Sequence, residues 1–477
     1  MVTQCTDVQM EFQGLGQRKV QAAFDGGHVS SDGGALLLWE TDARLNLCER
    51  FAGCFTDYRD ARFVEHKLPA LIRQRVWGLC LGYEDLNDHD TLSLDPLLAA
   101  ACGNREPEGT SRSNRAAREA GRALAAHSTL DRLELTPEAV NWSDPKRRYY
   151  KLVHHAEQVE GFFVDVFLES FEQAPEEIVL DFDPTDILLH GEQEGRFFHG
   201  YYRDYCYLPM YVFCGNRFVA ARLRTSNRDA SDGALELFRS LVERIRAAFP
   251  KTRIIIRGDS AFAREPLMRY CEGGTELYYV FGLARNTRLV DAIRLQLHEA
   301  RQAYERTGHA ARVYTEFRYK TRETWSRARR VIAKAEHLEK GANPRFVVTN
   351  LPGREIRSRE LYEGCYCLRG EMENRIKEQQ LDLFADRASS HFFRANQLRL
   401  WFAALAYVLM NAMRNTGLKN TRLAKATSAT IRALLFKIGA RVVVSVRRVA
   451  VHLSSAAPYQ DVFVHAWRNL RAYPLRI

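Results

Sequence analysis

The sequence predicts an α/β protein: a mixed five-stranded sheet with helices on its faces, broken by a β insertion and flanked by helical N-terminal and C-terminal regions. Three observations carry this expectation. The apolar pattern switches from helical spacing to strand runs near residue 178, and the element order from there is β-β-β-α-β-α-β. The chain has 477 residues, 46% of them hydrophobic and 11% aromatic, which is enough to bury a core. At about 100–200 residues per domain, roughly two to four domains are expected.

A strand pair at 8–15 and 20–24 opens the chain, with Gly26-Gly27 turning it. Ser31 or Asp32 caps a helix over 34–50, and further helices are expected at 64–81 and 90–102. The stretch 103–128 is rich in Gly, Ser and Arg and reads as an exposed loop with a short helix. Another helix spans 146–171 and ends before Pro175. IVLDFD, 178–183, is a strand ending in carboxylates. Strands at 205–213 and 218–224 follow around a Gly215-Asn216 turn, then a helix from Ser231 or Asp232 to Phe249, stopped by Pro250. RIIIRGD, 253–259, has the near-continuous apolar pattern of a strand buried on both faces. A helix at 264–271 and a strand at 277–283 complete the sheet: three antiparallel strands, then two parallel crossovers. The segment 285–361 interrupts it, with a helix to 306 and strand runs at 314–320, 329–334 and 345–351. Residues 366–384 read as one charged helix and 395–414 as an apolar one, before a basic helical remainder with a strand-like VVVSV at 442–446.

Charge is segregated. The net is +10 with pI ≈ 9.1, yet residues 387–477 hold 15 Lys/Arg against one acid, Asp461. Residues 301–340 hold 11 Lys/Arg against 5 acids. Clustered cations fit a polyanion, because neutralised phosphates release counterions. Ten cysteines without a CxxC pair make no disulfide or zinc framework. The longest apolar run, 401–410, is too short where a membrane span needs about 20 residues. The start, MVTQCTDVQMEF, lacks a basic segment followed by an apolar one. A soluble protein of a reducing compartment is expected, with no membrane partner.

Three acids stand out. Asp181 and Asp183 share one face of their strand, because side chains alternate with period two. Asp259 follows the RIIIRG run at the carboxyl end, where parallel strands commonly present functional groups. Glu373 lies on the later helix with Arg369 at i−4, Lys377 at i+4 and Gln380 at i+7. Hard oxygen ligands suit Mg2+ or Mn2+, and two such ions about 3.5–4 Å apart support in-line phosphoryl displacement. His154-His155 are expected in a helix without a metal partner, and Tyr201, Tyr202, Tyr205 and Tyr207 as strand packing or a DNA-groove lining.

These residues carry a resemblance. The strand order resembles the ribonuclease-H-like fold of DDE transposases, and Tyr366-x2-Arg369-x3-Glu373 is similar to the tyrosine–arginine–glutamate signature of bacterial insertion-sequence transposases with a β insertion. Gln380 stands where that signature has a lysine, and Lys377 is the nearest substitute. LDFDPTD, HGYYRDYCYLPMYVFCG, IIIRGDSAF and ENRIKEQQLDLFADR resemble the insertion-sequence family numbered thirteen-eighty, as do GYEDLNDHDTLSLDP and STLDRLE nearer the start. The resemblance implies a catalytic and metal-binding triad of Asp183, Asp259 and Glu373, with Asp181 the rival for the first position, and a cofactor of Mg2+ or Mn2+ with two ions expected. It implies DNA contacts from Tyr366, Arg369 and Lys377, and from Arg327, Arg329 and Arg330 of the insertion. Trp325 would either stack on a base flipped from the strand being cut or pack within the insertion, the commoner fate of a tryptophan.

The implied layout is a DNA-end-binding region at 1–135, a helical linker at 136–177, the first part of the catalytic domain at 178–284, the insertion at 285–361, the rest of the catalytic domain at 362–394, and a basic C-terminal region at 395–477. The implied partner is double-stranded DNA, both terminal inverted repeats and target, in the bacterial cytoplasm at the nucleoid. A homodimer on paired ends is expected, with Trp401, Leu405, Val408 and Ala412 as one candidate contact surface. A metal-dependent nuclease without strand transfer, and an inactive DNA-binding protein, are the competing functions.

Overall fold

The computed structural model describes residues 9–109, 121–145 and 148–474. They fall into two compact units, one of Ala156–Leu381 and Ala385–Ala404, the other of Met1–His155, Asp382–Phe384 and Leu405–Ile477.

The first unit is organised by a nine-stranded sheet. Its strands are β1 (Glu177–Pro184), β2 (Met210–Cys214), β3 (Arg217–Arg222), β4 (Arg253–Gly258), β5 (Leu277–Leu283), β6 (Ala311–Tyr319), β7 (Arg329–Leu338), β8 (Gly341–Ala342) and β9 (Arg345–Thr349). They lie in the order β3-β2-β1-β4-β5-β9-β7-β6, with β8 pairing off β7. β4 is parallel to β1 and β5, and every other pair is antiparallel. The segment 285–361 is therefore not a small separate β element. Its strands continue the main sheet, because β5 would otherwise end in a row of unpaired backbone groups that β9 satisfies from Val280↔Thr349 to Leu283↔Phe346.

Alternation along β1 sends Ile178, Leu180 and Phe182 to one face, into a core with Ile254, Ile256 and Tyr279. Helices α1 (Ala156–Glu169), α2 (Ala234–Ala248) and α3 (Glu265–Gly273) cover that face through Phe167, Phe238, Leu241 and Met268. Each fully buried side chain of this size stabilises by about 1.5–3 kcal/mol. Val179 points to the opposite face, toward a smaller core of Ile255, Val280, Val347, Leu361 and Tyr362. Asp181 and Asp183 belong to this second face.

Several expected elements differ. Residues 366–384 are not one uniform helix: a π-helical turn (Leu361–Cys365), a 3-10 turn (Tyr366–Arg369), an α-helical stretch α4 (Gly370–Lys377) and a second π turn (Glu378–Asp382) succeed one another. In place of a helix over 146–171, Leu152–His154 pairs as a strand with Phe55–Asp57 and the helix starts at Ala156. His154 is thus a buried strand residue bonded to Thr136, and His155 bonds Thr56 at 2.8 Å. Residues 8, 110–120 and 146–147 of the expected elements lie outside the described residues.

The apolar helix α5 (Phe393–Thr416) buries Trp401 and Leu405, and the Trp401 indole N–H donates to the Ala221 carbonyl at 3.1 Å. These two side chains serve the core and are not a free surface for a second subunit. In the second unit, helices Ala35–Leu45, Leu47–Ala52 and Leu68–Leu81 bury Leu37, Phe51 and Trp77. Its C-terminal part is not wholly helical, since the hairpin Ala440–Ser445/Arg448–Leu453 precedes the helix Gln460–Ala472. Among the described residues no helix is long and apolar enough to cross a membrane.

Candidate active site

Register builds the site. In the parallel pair β1–β4, Asp181 is level with Arg257 and Phe182 with Gly258. One residue on, Asp183 and Asp259 come side by side at the carboxyl ends, on the face of the smaller core. The helical segment from Leu361 to Lys377 brings Tyr366, Arg369 and Glu373 to the same place.

The two aspartates of β1 have different fates. Asp181 is buried, and its carboxylate accepts from Nε and Nη2 of the buried Arg257, the latter at 2.7 Å. The third nitrogen, Nη1, donates to the Cys365 carbonyl. Arg257 thereby ties β1, β4 and the π turn together, and Asp181 is occupied as its counter-ion. Asp183, with a side chain 14% exposed, remains the open carboxylate of the strand.

Burial pushes the Asp183 carboxyl up to about 7; Arg369 opposes the shift, while the charges of Asp259 and Glu373 add to it. The Arg369 guanidinium bridges the cluster, with Nη1 3.3 Å from Asp183 Oδ1 and Nη2 3.0 Å from Glu373 Oε1. Asp259 accepts from the Ala261 N–H at 2.9 Å, capping the turn Ser260–Phe262. Glu373 is half exposed on α4, and Lys377, one turn later, is exposed. Gln380, at the position of the signature lysine, is held by the Asp186 carbonyl at 3.1 Å. Tyr366 is seated where only glycine leaves room: a Cβ on Gly282 would stand 2.6 Å from its hydroxyl oxygen. Burial raises that phenol and Arg369 lowers it. Among the described residues no three His, Cys, Asp or Glu side chains form a ready-made metal cage.

The insertion residues are placed otherwise than expected. Trp325 is only 4% exposed, packed edge-on against Tyr319 with Arg329 over its ring, so its indole belongs to the core and presents no face for a base. Arg329 is buried between Glu265 (2.6 Å) and Glu272 (2.7 Å). Arg330 is buried on Glu316 (2.6 Å) and the carbonyls of Leu351 and Ile356. Only Arg327 of the three is exposed, and it too pairs with Glu272. Both guanidinium groups are desolvated with every nitrogen already bonded to a carboxylate or carbonyl, which turns Arg329 and Arg330 into the fold rather than toward a DNA surface.

Arg257 escaped sequence reasoning, and the four tyrosines named there part company. Arg257 was signalled only by being a charge inside an apolar strand. Tyr202, half-buried, feels the charges of Asp186 and Asp183 and so lies near the site, whereas Tyr201 is 83% exposed and Tyr207 is buried.

The family model for the transposase DDE domain, group 1, matches residues 12–475. Among solved structures, a piggyBac transposase synaptic complex with hairpin DNA is similar at a TM-score of 0.40 and 10% identity, over 85% of this chain and 79% of that one. No curated protein sequence matches. With a family match over nearly its entire length, the chain belongs to the transposase DDE domain family, group 1.

Proposed function

We propose that this chain is a DNA transposase of the insertion-sequence family numbered thirteen-eighty, which cuts the ends of its element and joins the freed 3′-OH to target DNA by metal-dependent phosphoryl transfer on a ribonuclease-H-like sheet. The observation that carries the proposal is the meeting of Asp183, Asp259 and Glu373 around Arg369 at the ends of β1 and β4. Three carboxylates on a partly buried rim repel one another, and the raised Asp183 carboxyl expresses that repulsion together with its burial. An all-oxygen, over-anionic donor set fits Mg2+ or Mn2+, and Asp183, Asp259 and Glu373 are the residues that would hold it. Such ions, when bound, supply an activated oxygen nucleophile and neutralise charge on the leaving oxygen.

The chain's own residues position this chemistry. The Asp181–Arg257 pair holds the two strand ends at fixed spacing and anchors the π turn that leads to Arg369. Arg369 neutralises Asp183 and Glu373 in the DNA-free protein, and its planar fork matches a phosphate, so DNA entry would draw it off both carboxylates at once. Lys377, exposed one turn past Glu373, adds a point charge for the backbone beside the cut. Tyr366, lodged over Gly282, seats the helical segment against β5. The partners are terminal inverted repeats and target DNA, and a homodimer would hold two ends together so that both are cut in one complex.

A plasmid carrying two inverted element ends, incubated with purified protein and Mg2+, tests the reading when excision and integration are scored separately. Both products are expected. Excision without integration reduces the protein to a nuclease, and binding with neither product makes it an inactive DNA-binding protein.

A further inference from the structure

The chain's basic segments differ in what their cations already touch. In the sheet extension, Arg312 and Lys334 pair with Glu336, Arg327 with Glu272, Arg329 with Glu265 and Glu272, and Arg330 with Glu316. Those five cations are neutralised within the fold, while among the described residues Arg318, Lys320 and Arg322 of the same segment meet no carboxylate. The C-terminal hairpin, Ala440–Ser445 and Arg448–Leu453, is the opposite case: ARVVVSVRRVAVHL contains Arg441, Arg447, Arg448 and His452 and no acid. Among the described residues no carboxylate pairs with any of its three arginines.

Register sorts its side chains into two faces. Arg441↔His452, Val443↔Ala450 and Ser445↔Arg448 lie on one face, where Arg441, Ser445, Arg448 and His452 are exposed. Ala440 and Val442 lie on the other and are buried. Among the described residues the ribbon is anchored at its base, through Ala440↔Ser30, Arg441↔Val29 and the Val442 N–H donating to the His28 carbonyl at 2.8 Å. Beyond it two strands run on unsupported to a turn at Val446-Arg447, where Val446 is fully exposed. An unsupported two-stranded ribbon is marginal in water and gains from a partner. Charge on an edge strand also guards against strand addition, but a guard has no use for an apolar side chain at the tip.

We infer that this hairpin is a DNA-binding ribbon that enters the major groove of the duplex, with Arg441, Arg447 and Arg448 on the flanking phosphates and Val446 leading between them. Two strands about 4.8 Å apart with their side chains match a groove about 12 Å wide. A second copy of the chain is a poor occupant, since it would set three unpaired arginines against three. The inference rests on the transposase reading for its duplex and goes beyond it by assigning the surface.

The test is the salt dependence of binding to a short duplex, followed by fluorescence anisotropy in the full-length protein. Replacing Arg441, Arg447 and Arg448 together by Gln should lower the slope of log affinity against log salt by about 0.9 for each phosphate contact removed. Arg312→Gln, in the sheet extension, should leave the slope as it is. Val446→Asp alone should weaken binding without moving the melting temperature, because the residue packs against nothing. A wild-type slope in the triple variant overturns the hairpin assignment and leaves the transposase reading standing. Failure of the wild-type protein to bind any duplex removes both. A change in the sedimentation of the DNA-free protein on making the triple variant would assign the ribbon to a second copy and also overturn the inference.

Discussion

Asp183→Asn should make the metal-free protein more stable while removing its activity. Burial, above all, pushes the Asp183 carboxyl up to about 7 in the fold, against 3.8 for an ordinary aspartate. At about 1.4 kcal/mol per pKa unit, keeping it ionised costs the native state up to about 4 kcal/mol. The folded value is raised, so the native protein binds this proton more tightly than the unfolded chain does. Stability from the group is therefore full below the unfolded pKa and is lost as pH rises through about 7. Asparagine has nearly the same shape, keeps an acceptor for Arg369 and carries no charge. After allowing for the weakened Arg369 contact and for residual solvent, a gain of about 1–3 kcal/mol is expected near pH 8 and less than half of that near pH 5. That corresponds to roughly 2–4 °C in melting temperature per kcal/mol for a unit of this size. Circular-dichroism melts in a chelator at both pH values measure it, with plasmid excision measured alongside. A gain of equal size at both pH values, or a loss near pH 8, would refute the claim that ionised Asp183 is strained in the native state.

Glu373→Gln and Asp259→Asn should each abolish cutting and joining while gel-shift affinity for element ends is kept, and combining them should add nothing further; full activity in either would remove that residue from the site. Arg329→Ala leaves Glu265 and Glu272 without their shared buried cation and should cost about 3–5 kcal/mol in urea unfolding; an unchanged unfolding midpoint together with a flattened DNA salt slope would return the insertion to the DNA. Asp181→Asn should lower the melting temperature by weakening the bidentate Arg257 pair, and any lost excision should follow folded fraction; a fully folded but dead variant would instead make Asp181 a metal ligand.

The strands from β1 to β5 were legible in the sequence because their signals are local, whereas the continuation of the sheet to nine strands was not. IVLDFD and RIIIRGD announce themselves by period and composition, and Gly215-Asn216 marks a hairpin turn without any tertiary information. Alternation also put Asp181 and Asp183 on one face, but it could not choose between them. The choice came from register: Arg257 lies level with Asp181, 76 residues away, and takes its carboxylate, while Asp183 has no strand neighbour of opposite charge at its level. The same limit explains Trp325, Arg329 and Arg330. A sequence counts cations without showing their partners, and Glu265 and Glu272 reach Arg329 from 64 and 57 residues away. Charge, helix face and strand face are properties of a residue and its near neighbours, so the sequence by itself determined them. Burial and ion pairing depend on contacts between distant segments, and only the tertiary structure could decide which arginines are already neutralised and which, on the C-terminal hairpin, meet no carboxylate among the described residues.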